Sequence, residues 1–370
     1  MRIAFGIVSL FPGGGLQRNC LAIARILRWR GYDVSVFASR ISGPAPPDLP
    51  ITILPNNAWT NHGRDSRFAS DFARATNGRF QLVVGFNKLP GLDVLYCADP
   101  SVAAQGRGWR WLTPRYHARC ALEAACFSPK SKTRIIALSQ AQIDAYLRVW
   151  ATPAQRLALL PPNLEIERRH PERRTDGTRE RWRAALGLTS ADWSWLAIGR
   201  QARMKGFDRV IAALPAFPRA HLGIVGLDWA GSGASTIIKL ARRLGVDRRI
   251  TLHGLVSDED VLSLMAAADL LVHPARLDTT GTVILEAIVN GLPVVTTAAC
   301  GYACHVRKAC AGVVVPQPFS QHAFRAALKE ANDRARQAEW SVSGARYSEH
   351  LQLFTGLEAA AGIILRATRL

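Results

Sequence analysis

Short apolar runs alternate with segments of helical period along almost the whole of this chain, and that alternation restricts its fold more than any other feature. The first instance is the clearest. RIAFGIVSL, residues 2–10, is mostly apolar and runs into Phe11-Pro12-Gly13-Gly14-Gly15. LQRNCLAIARILRWRG follows, with apolar residues at 16, 20, 23, 24 and 27, a helical spacing. DVSVFAS then reads as a second strand. Strand, glycine turn, helix and strand together open a doubly wound α/β domain, because parallel strands need a crossover and bury both faces.

The pattern continues with strands predicted in ITIL, QLVVGF, DVLYC and RIIALS, and helices over Pro114–Phe127 and Gln140–Val149. LALLPPN, residues 157–163, closes this first series on a Pro-Pro turn. Glu165–Thr178 is polar, has no apolar period and reads as a linker or surface excursion. A second series then follows: WSWLAIG, a helix from Phe207, HLGIVG, a helix near Ser235–Leu244, RITLHG, a helix near Asp258–Ala268, LLVHPA, a helix from Gly281, PVVTT and GVVVP. Helices run from there to the C-terminus. Two α/β halves of similar size are expected. Ligands of such sheets bind beyond the carboxyl ends of the strands, and two facing halves make a deep central cleft.

Length and charge narrow the partners. A chain of 370 residues, 48% hydrophobic, can bury two cores. Its net charge of +19 is uneven: 20 basic residues stand against 8 acidic ones up to Pro162, and 27 against 20 beyond it. Such a field favours nucleic acid, anionic lipid or a phosphate-bearing ligand. The seven cysteines are odd in number and form no Cys-x-x-Cys, which excludes zinc spacing and a disulfide framework and suits a reducing compartment. The N-terminal apolar run is too short for a signal peptide, and no stretch reaches the roughly 18 apolar residues of a membrane span. A cytosolic protein, or one peripheral on the inner membrane face, is expected.

Three constellations can carry chemistry. Gly13-Gly14-Gly15, between a strand and a helix, lets backbone approach an anion; it is equally a tight βα turn, since it has neither P-loop spacing nor the full dinucleotide fingerprint. Arg200 and Lys205, in IGRQARMKGFDR, follow the first strand of the second half, where two cations can clamp a diphosphate; alone they read as solvated loop charge. LDTTGTVILE, residues 277–286, places Asp278 in the loop before a helix opened by Gly281 and Thr282, and Glu286 more than a turn inside it. Helix N–H groups there can meet phosphate, and two carboxylates can each hold vicinal hydroxyls. Asp278 could instead serve a capping turn and Glu286 a solvent face. Glu286, however, neighbours Ile284, Leu285, Ala287 and Ile288, an apolar setting for an unpaired acid. Asp258-Glu259-Asp260 follows Ser257 and reads as an acid-rich helix start rather than a metal motif, so no metal is expected.

DLLVHPARLDTTGTVILEAIVNGLPVVTT, GRQARMKGFDR and FPGGGLQRN together resemble retaining glycosyltransferases of family 4, with two Rossmann-like domains facing a central cleft (GT-B). The acid pair at 278 and 286 resembles that family's E-x7-E motif. NHGRD, VVGFNKLPGLDVLYCAD, LTPRYHARCALEAACF, MAAADLLVHPA, CGYACHV and QPFSQ narrow the resemblance to the bacterial lipopolysaccharide core glucosyltransferase I family, through nearly the whole chain except Glu165–Thr178. The resemblance implies an acceptor-side domain over 1–162, a nucleotide-sugar domain over 163–350, and a helix over 351–370 that returns to the first.

It also implies roles. The donor is a UDP-hexose, foremost UDP-glucose, used as a substrate with no cofactor; the acceptor is a heptose of the lipid-anchored inner core, the alternative being a family 4 transferase with another UDP-hexose or another lipid-linked acceptor. Gly14 and Gly15 approach the diphosphate, Arg200 and Lys205 bind it, and the backbone of Gly281, Thr282 and Val283 caps it. Glu286 holds the ribose, and uracil lies near Gly254, Leu255 and Val256. Asp278 and Asp99, in YCADP, are the candidate catalytic residues: Asp278 meets the donor sugar, and Asp99 orients or deprotonates the acceptor hydroxyl, unless it is only a turn acid before Pro100. Two positions depart from the family: Asp278 replaces a glutamate, and Asn19 an acid. Both lie on the sugar side, where one methylene can decide which hexose fits.

Arg107, Trp109, Arg110, Trp111, Arg115, Tyr116 and Arg119 mix cations with interfacial aromatics. That mixture suits an anionic membrane surface or the lipid-borne acceptor, and places the protein on the cytoplasmic face of the inner membrane. It also suits stacked nucleic acid, or no more than a surface arginine face. A nucleic-acid module would have no use for the acid pair, and is disfavoured. A non-hydrolysing nucleotide-sugar epimerase shares the two-domain fold, but its acid and base cannot be placed.

Overall fold

The computed structural model describes residues 1–12, 14–56, 58–105, 111–228, 231–349 and 351–367. The chain forms two compact units, Met1–Asn163 with Phe354–Leu370, and Leu164–Leu353.

In the first unit the order is β1 (Arg2–Leu10), α1 (Gly15–Trp29), β2 (Asp33–Ile41), β3 (Ile51–Ile53), α2 (Asn61–Thr76), β4 (Leu82–Gly85), β5 (Val94–Cys97), α3 (Val102–Gln105), α4 (Pro114–Phe127), β6 (Arg134–Ala137), α5 (Gln140–Trp150) and β7 (Leu157–Leu159). The sheet runs β3-β2-β1-β4-β5-β6-β7, all parallel. β1 is buried at Ile3, Ala4, Phe5 and Ile7, as a central strand covered on both faces must be. α1 turns Cys20, Ile23, Ala24 and Leu27 onto it.

The chain re-enters this unit at its C-terminus as α14 (Gly356–Arg366). Its Ala360, Ala361, Ile363 and Ile364 join the same core, and Glu358 pairs with Arg30 at the end of α1. Burying the two isoleucines contributes about 1.5–3 kcal/mol each. Gly356 permits the crossing, because a Cβ there would lie 2.7 Å from the carbonyl oxygen of Pro161.

The structure differs from the sequence reading at three places. LALLPPN is not only a turn: Leu157–Leu159 adds an edge strand to β6 before Pro161 and Pro162 stop it. Residues 61–76, assigned no element from sequence, form α2, capped by the Thr60 hydroxyl, with Phe68, Ala69 and Phe72 on its buried face. Glu165–Thr178 belongs to the second unit, where it makes 3₁₀ turns over Ile166–Arg168 and Pro171–Arg174. Two arginines of this expected linker or surface excursion turn inward: Arg168 is buried and Arg174 donates to the carbonyls of Met265, Ala266 and Ala268.

The second unit contains α6 (Thr178–Ala185), β8 (Trp193–Ile198), α7 (Phe207–Ile211), β9 (Ala220–Val225), α8 (Ser232–Arg243), β10 (Ile250–Gly254), α9 (Asp258–Ala267), β11 (Leu270–His273), α10 (Thr282–Val289), β12 (Val294–Thr297), α11 (Ala303–Lys308), β13 (Gly312–Val315), α12 (Gln321–Ala331) and α13 (Arg334–Tyr347). Its sheet, β10-β9-β8-β11-β12-β13, is again wholly parallel. In each unit the strand order reverses beside the first strand: between β1 and β4, and between β8 and β11. Ligands of doubly wound sheets bind at such switch points.

One buried charge ties the second unit together. Asp269, just before β11, is fully buried and accepts hydrogen bonds from the Ser194 N–H at 2.8 Å, Arg183 at 3.0 Å, Arg334 at 2.7 Å and Arg179. It thereby fixes α6, β8 and α13 around the strand that leads to the second switch point.

Candidate active site

At the second switch point, side chains from both flanking strands converge. Lys205 lies in the loop after β8; His273 is the last residue of β11, and Asp278 follows five positions on. Lys205 Nζ is 2.5 Å from Asp278 Oδ2, and His273 Nε2 is 2.9 Å from the same oxygen. Burial alone would raise the Asp278 carboxyl; the His273 hydrogen bond and the Lys205 ammonium overcome it and hold it down at about 2. Asp278 is therefore an anion throughout the neutral range. Burial lowers His273, but its bond to Asp278 and its contact with Cys300 outweigh that and raise it.

Gly281 takes a positive φ of 77° directly before α10, and a Cβ there would meet Ile284 Cδ1 at 2.9 Å. This is where a backbone N–H end can face an anion without a side chain in the way. Thr282 is exposed and Val283 half-buried. Glu286 lies one turn further and is not unpaired, as its apolar neighbours had suggested. Arg168, from the segment read as a linker, places Nε 3.2 Å and Nη2 3.3 Å from its two carboxylate oxygens, and also reaches Asp258 at 2.8 Å. Ser257 caps α9, and two of the three acids of its first turn are drawn into ion pairs, Asp258 with Arg168 and Glu259 with Arg173.

Arg200 is exposed beyond β8. Gly254 ends β10, with Leu255 exposed and Val256 half-buried after it. Gly199, Gly226 and Gly254 follow or close three adjacent strands with positive φ, and the Gly226 N–H donates to the Gly254 carbonyl at 2.7 Å. Over these three strands the carboxyl edge of the sheet is therefore bare backbone.

The first switch point opens into a cavity of about 930 Å³ whose walls include Ser9, Asn87, Lys88, Asp99, Arg115 and Arg119. Gly14 caps α1 beside it, and a Cβ there would lie 2.0 Å from Gln17 Oε1; Gly15 is exposed. Asp99 is exposed in the loop after β5, and Gln142 and Tyr146 hold its backbone carbonyl at 2.9 and 3.2 Å. Beneath the loop Glu123 is fully buried. It accepts from Lys88 at 2.6 Å, the Ser101 hydroxyl at 2.6 Å, the Val102 N–H at 2.7 Å and Trp150 Nε1 at 2.8 Å. Lys88 also donates to the Pro100 carbonyl at 2.9 Å. Asn19 donates to the Tyr96 hydroxyl at 2.8 Å, so a neutral pair stands at this position.

The aromatic and basic patch divides. Arg115, Tyr116 and Arg119 line the cavity, while Trp111, with Leu112, is exposed beside α4. Arg107, Trp109 and Arg110 lie outside the described residues.

Comparison with known proteins now decides the family. The profile of glycosyl transferases group 1 matches residues 178–343, which hold the Lys205–Asp278–His273 cluster and Glu286. The lipopolysaccharide glucosyltransferase WaaG of Escherichia coli (strain K12) is 36% identical, over 98% of this chain and 98% of its own. The chain belongs to the lipopolysaccharide glucosyltransferase family. A crystal structure of WaaG, a glycosyltransferase involved in lipopolysaccharide biosynthesis, matches with a TM-score of 0.87 at 34% identity, covering 98% of this chain and 99% of that one. The sucrose-phosphate synthase of Thermosynechococcus elongatus shares the fold, with a TM-score of 0.79 at 22% identity over 99% of this chain and 98% of its own. This glycosyltransferase thus carries two Rossmann-like domains of the GT-B class.

Four residues of the site escaped the sequence reading. His273 had a signal: it is the one ionisable residue of β11, which otherwise reads Leu-Leu-Val. Arg168 had none, since it stands in a segment without period. Lys88 and Glu123 are 35 positions apart, and neither shows its partner until α4 packs behind the loop.

Proposed function

We propose that this glycosyltransferase moves glucose from UDP-glucose to an inner-core heptose of lipopolysaccharide, with retention of anomeric configuration and no cofactor or metal. The observation that carries the reading is the convergence of Lys205, His273 and Asp278 at the second switch point, with Glu286 on the helix that follows. End-to-end similarity to a lipopolysaccharide glucosyltransferase supports the substrate class.

In this reading the second unit binds the donor. Glu286, steadied by Arg168, accepts hydrogen bonds from the ribose. The N-terminal backbone of α10, from Gly281 to Val283, together with Lys205 and Arg200, receives the diphosphate and offsets the charge that grows on it as the glycosidic bond breaks. Gly254 to Val256 offer the edge for uracil. Asp278 accepts from a hexose hydroxyl. The acceptor enters the first unit's cavity, where Asp99 orients the attacking hydroxyl. The leaving phosphate oxygen takes its proton on the same face, so no protein nucleophile is required.

No helix among the described residues is long and apolar enough to cross a membrane. The proposed location is the cytoplasmic face of the inner membrane, with Trp111 and Leu112 meeting the lipid and the basic excess meeting its anionic headgroups. A panel of UDP-hexoses tests both parts, with truncated lipopolysaccharide offered in anionic and in neutral vesicles and UDP release followed. UDP-glucose should be turned over, and faster on anionic vesicles. Failure to bind UDP or to turn over any UDP-hexose would sink the reading, and rates independent of lipid charge would sink its membrane part.

The clamp under Asp99 gives a separate expectation. Glu123→Gln leaves Lys88 without its carboxylate and loosens the loop that carries Asp99. Misplacing a substrate-positioning loop should raise the acceptor KM about tenfold. UDP affinity, measured by calorimetry on the same protein, should stay unchanged. An unchanged acceptor KM contradicts this role.

A further inference from the structure

The imidazole of His273 is buried at a cost with no evident structural return. It ends a strand whose other members, Leu270, Leu271 and Val272, are fully buried apolar residues, and it is itself fully buried. Its Nδ1 has no hydrogen-bond partner among the described residues. An aliphatic side chain would fill this place without desolvating an orphaned nitrogen. Beside its contact with the Cys300 thiol, what the histidine does make is one bond within hydrogen-bond distance, from Nε2 to Asp278 Oδ2 at 2.9 Å.

The position of that bond matters. Lys205 donates to the same oxygen, at 2.5 Å. Among the described residues no hydrogen bond reaches Oδ1. The carboxylate is thus held by one oxygen and open at the other. Its backbone is fixed as well: the Asp278 N–H donates to Ala299 at 3.2 Å, and its carbonyl accepts from Gly301 at 3.0 Å. The His273 backbone is held in turn, its carbonyl accepting from the Thr296 hydroxyl at 2.9 Å. An aspartate reaches one methylene less far than a glutamate. A short acid can aim at a sugar only if its rotation is set from behind, and the imidazole stands where it can set it.

We propose that His273 is a positioning residue for donor-sugar recognition, pinning Asp278 through Oδ2 so that Oδ1 faces a hexose hydroxyl. This rests on the reading that the second unit binds a UDP-hexose. It goes beyond that reading by assigning the aim of Asp278, and with it the choice of hexose, to a residue that touches no substrate.

Two amide variants separate the role from mere packing. In H273Q the amide nitrogen reaches the place of Nε2 and can still donate to Asp278; in H273N it reaches only the place of Nδ1. Calorimetry with UDP and with UDP-glucose, and steady-state kinetics with UDP-glucose, would be run on both and on the unaltered protein. H273N should keep its UDP affinity and lose about twentyfold in kcat/KM for UDP-glucose, the lower end of the scale of one hydrogen bond to a charged group. H273Q should restore most of that loss. Equal behaviour of the two variants, or a parallel fall in UDP and UDP-glucose affinity, overturns the proposal. A second readout needs no variant. Nitrogen NMR of the imidazole should show the proton on Nε2, and a proton resident only on Nδ1 overturns the proposal. If the unaltered protein binds neither UDP nor a UDP-hexose, the parent reading fails; if it turns over UDP-glucose and proves indifferent at 273, only this inference does.

Discussion

Replacing Asp278 by asparagine is expected to lower kcat/KM for UDP-glucose about a hundredfold while leaving UDP affinity within about twofold, because a hydrogen bond to a charged group contributes roughly 1.5–3 kcal/mol. The geometry sets the sign of the effect. Lys205 and His273 both donate to Oδ2, so an asparagine will turn its carbonyl toward them. Its NH2 group then stands where Oδ1 was, and a sugar hydroxyl meets a donor in place of an anion. Nucleotide contacts assigned to Glu286, Arg200 and the start of α10 are untouched, and Lys205 keeps a hydrogen-bond acceptor in the amide carbonyl. Kinetics and calorimetry on one preparation check this; a loss of UDP affinity as large as the loss of kcat/KM would show that Asp278 holds the site's shape rather than the sugar.

Asp269→Asn should produce the largest change in stability. The carboxylate balances Arg179, Arg183 and Arg334 with no exposure to solvent. An amide removes the charge and turns an N–H donor toward guanidinium donors. Breaking a buried pair from one side costs about 3–5 kcal/mol. For a unit of this size that corresponds to a fall of roughly 10 °C in Tm. Scanning calorimetry measures it directly, and a shift within about 2 °C would mean that water or rearranged arginines replace the lost charge.

The two halves were legible because parallel strands announce themselves. β1 and β11 are near-continuous apolar runs, each followed by a turn and a helical period, and the folded sheets place them at the switch points. The acids at 278 and 286 stood out too, since a helix-opening glycine between two carboxylates is a local pattern. What stayed hidden was pairing between distant segments. Arg168 meets Glu286 across 118 positions and Lys88 meets Glu123 across 35, and no local period encodes either contact. Glu165–Thr178 shows the same limit: it reads as a linker or surface excursion, because the carbonyls and carboxylates that receive its arginines come from α9 and α10. β7 was missed for another reason. Three partly exposed residues before two prolines are too short a run to show a strand's alternation.

The most direct measurement is the structure of the product. Lipopolysaccharide truncated at the inner-core heptose is incubated with UDP-glucose and the protein, and the released core oligosaccharide is analysed by mass spectrometry and NMR. The expected result is one added glucose on heptose with the α configuration of the donor. An unmodified core, or a β-linked hexose, would contradict a retaining glucosyltransferase built on Asp278, Lys205 and Glu286.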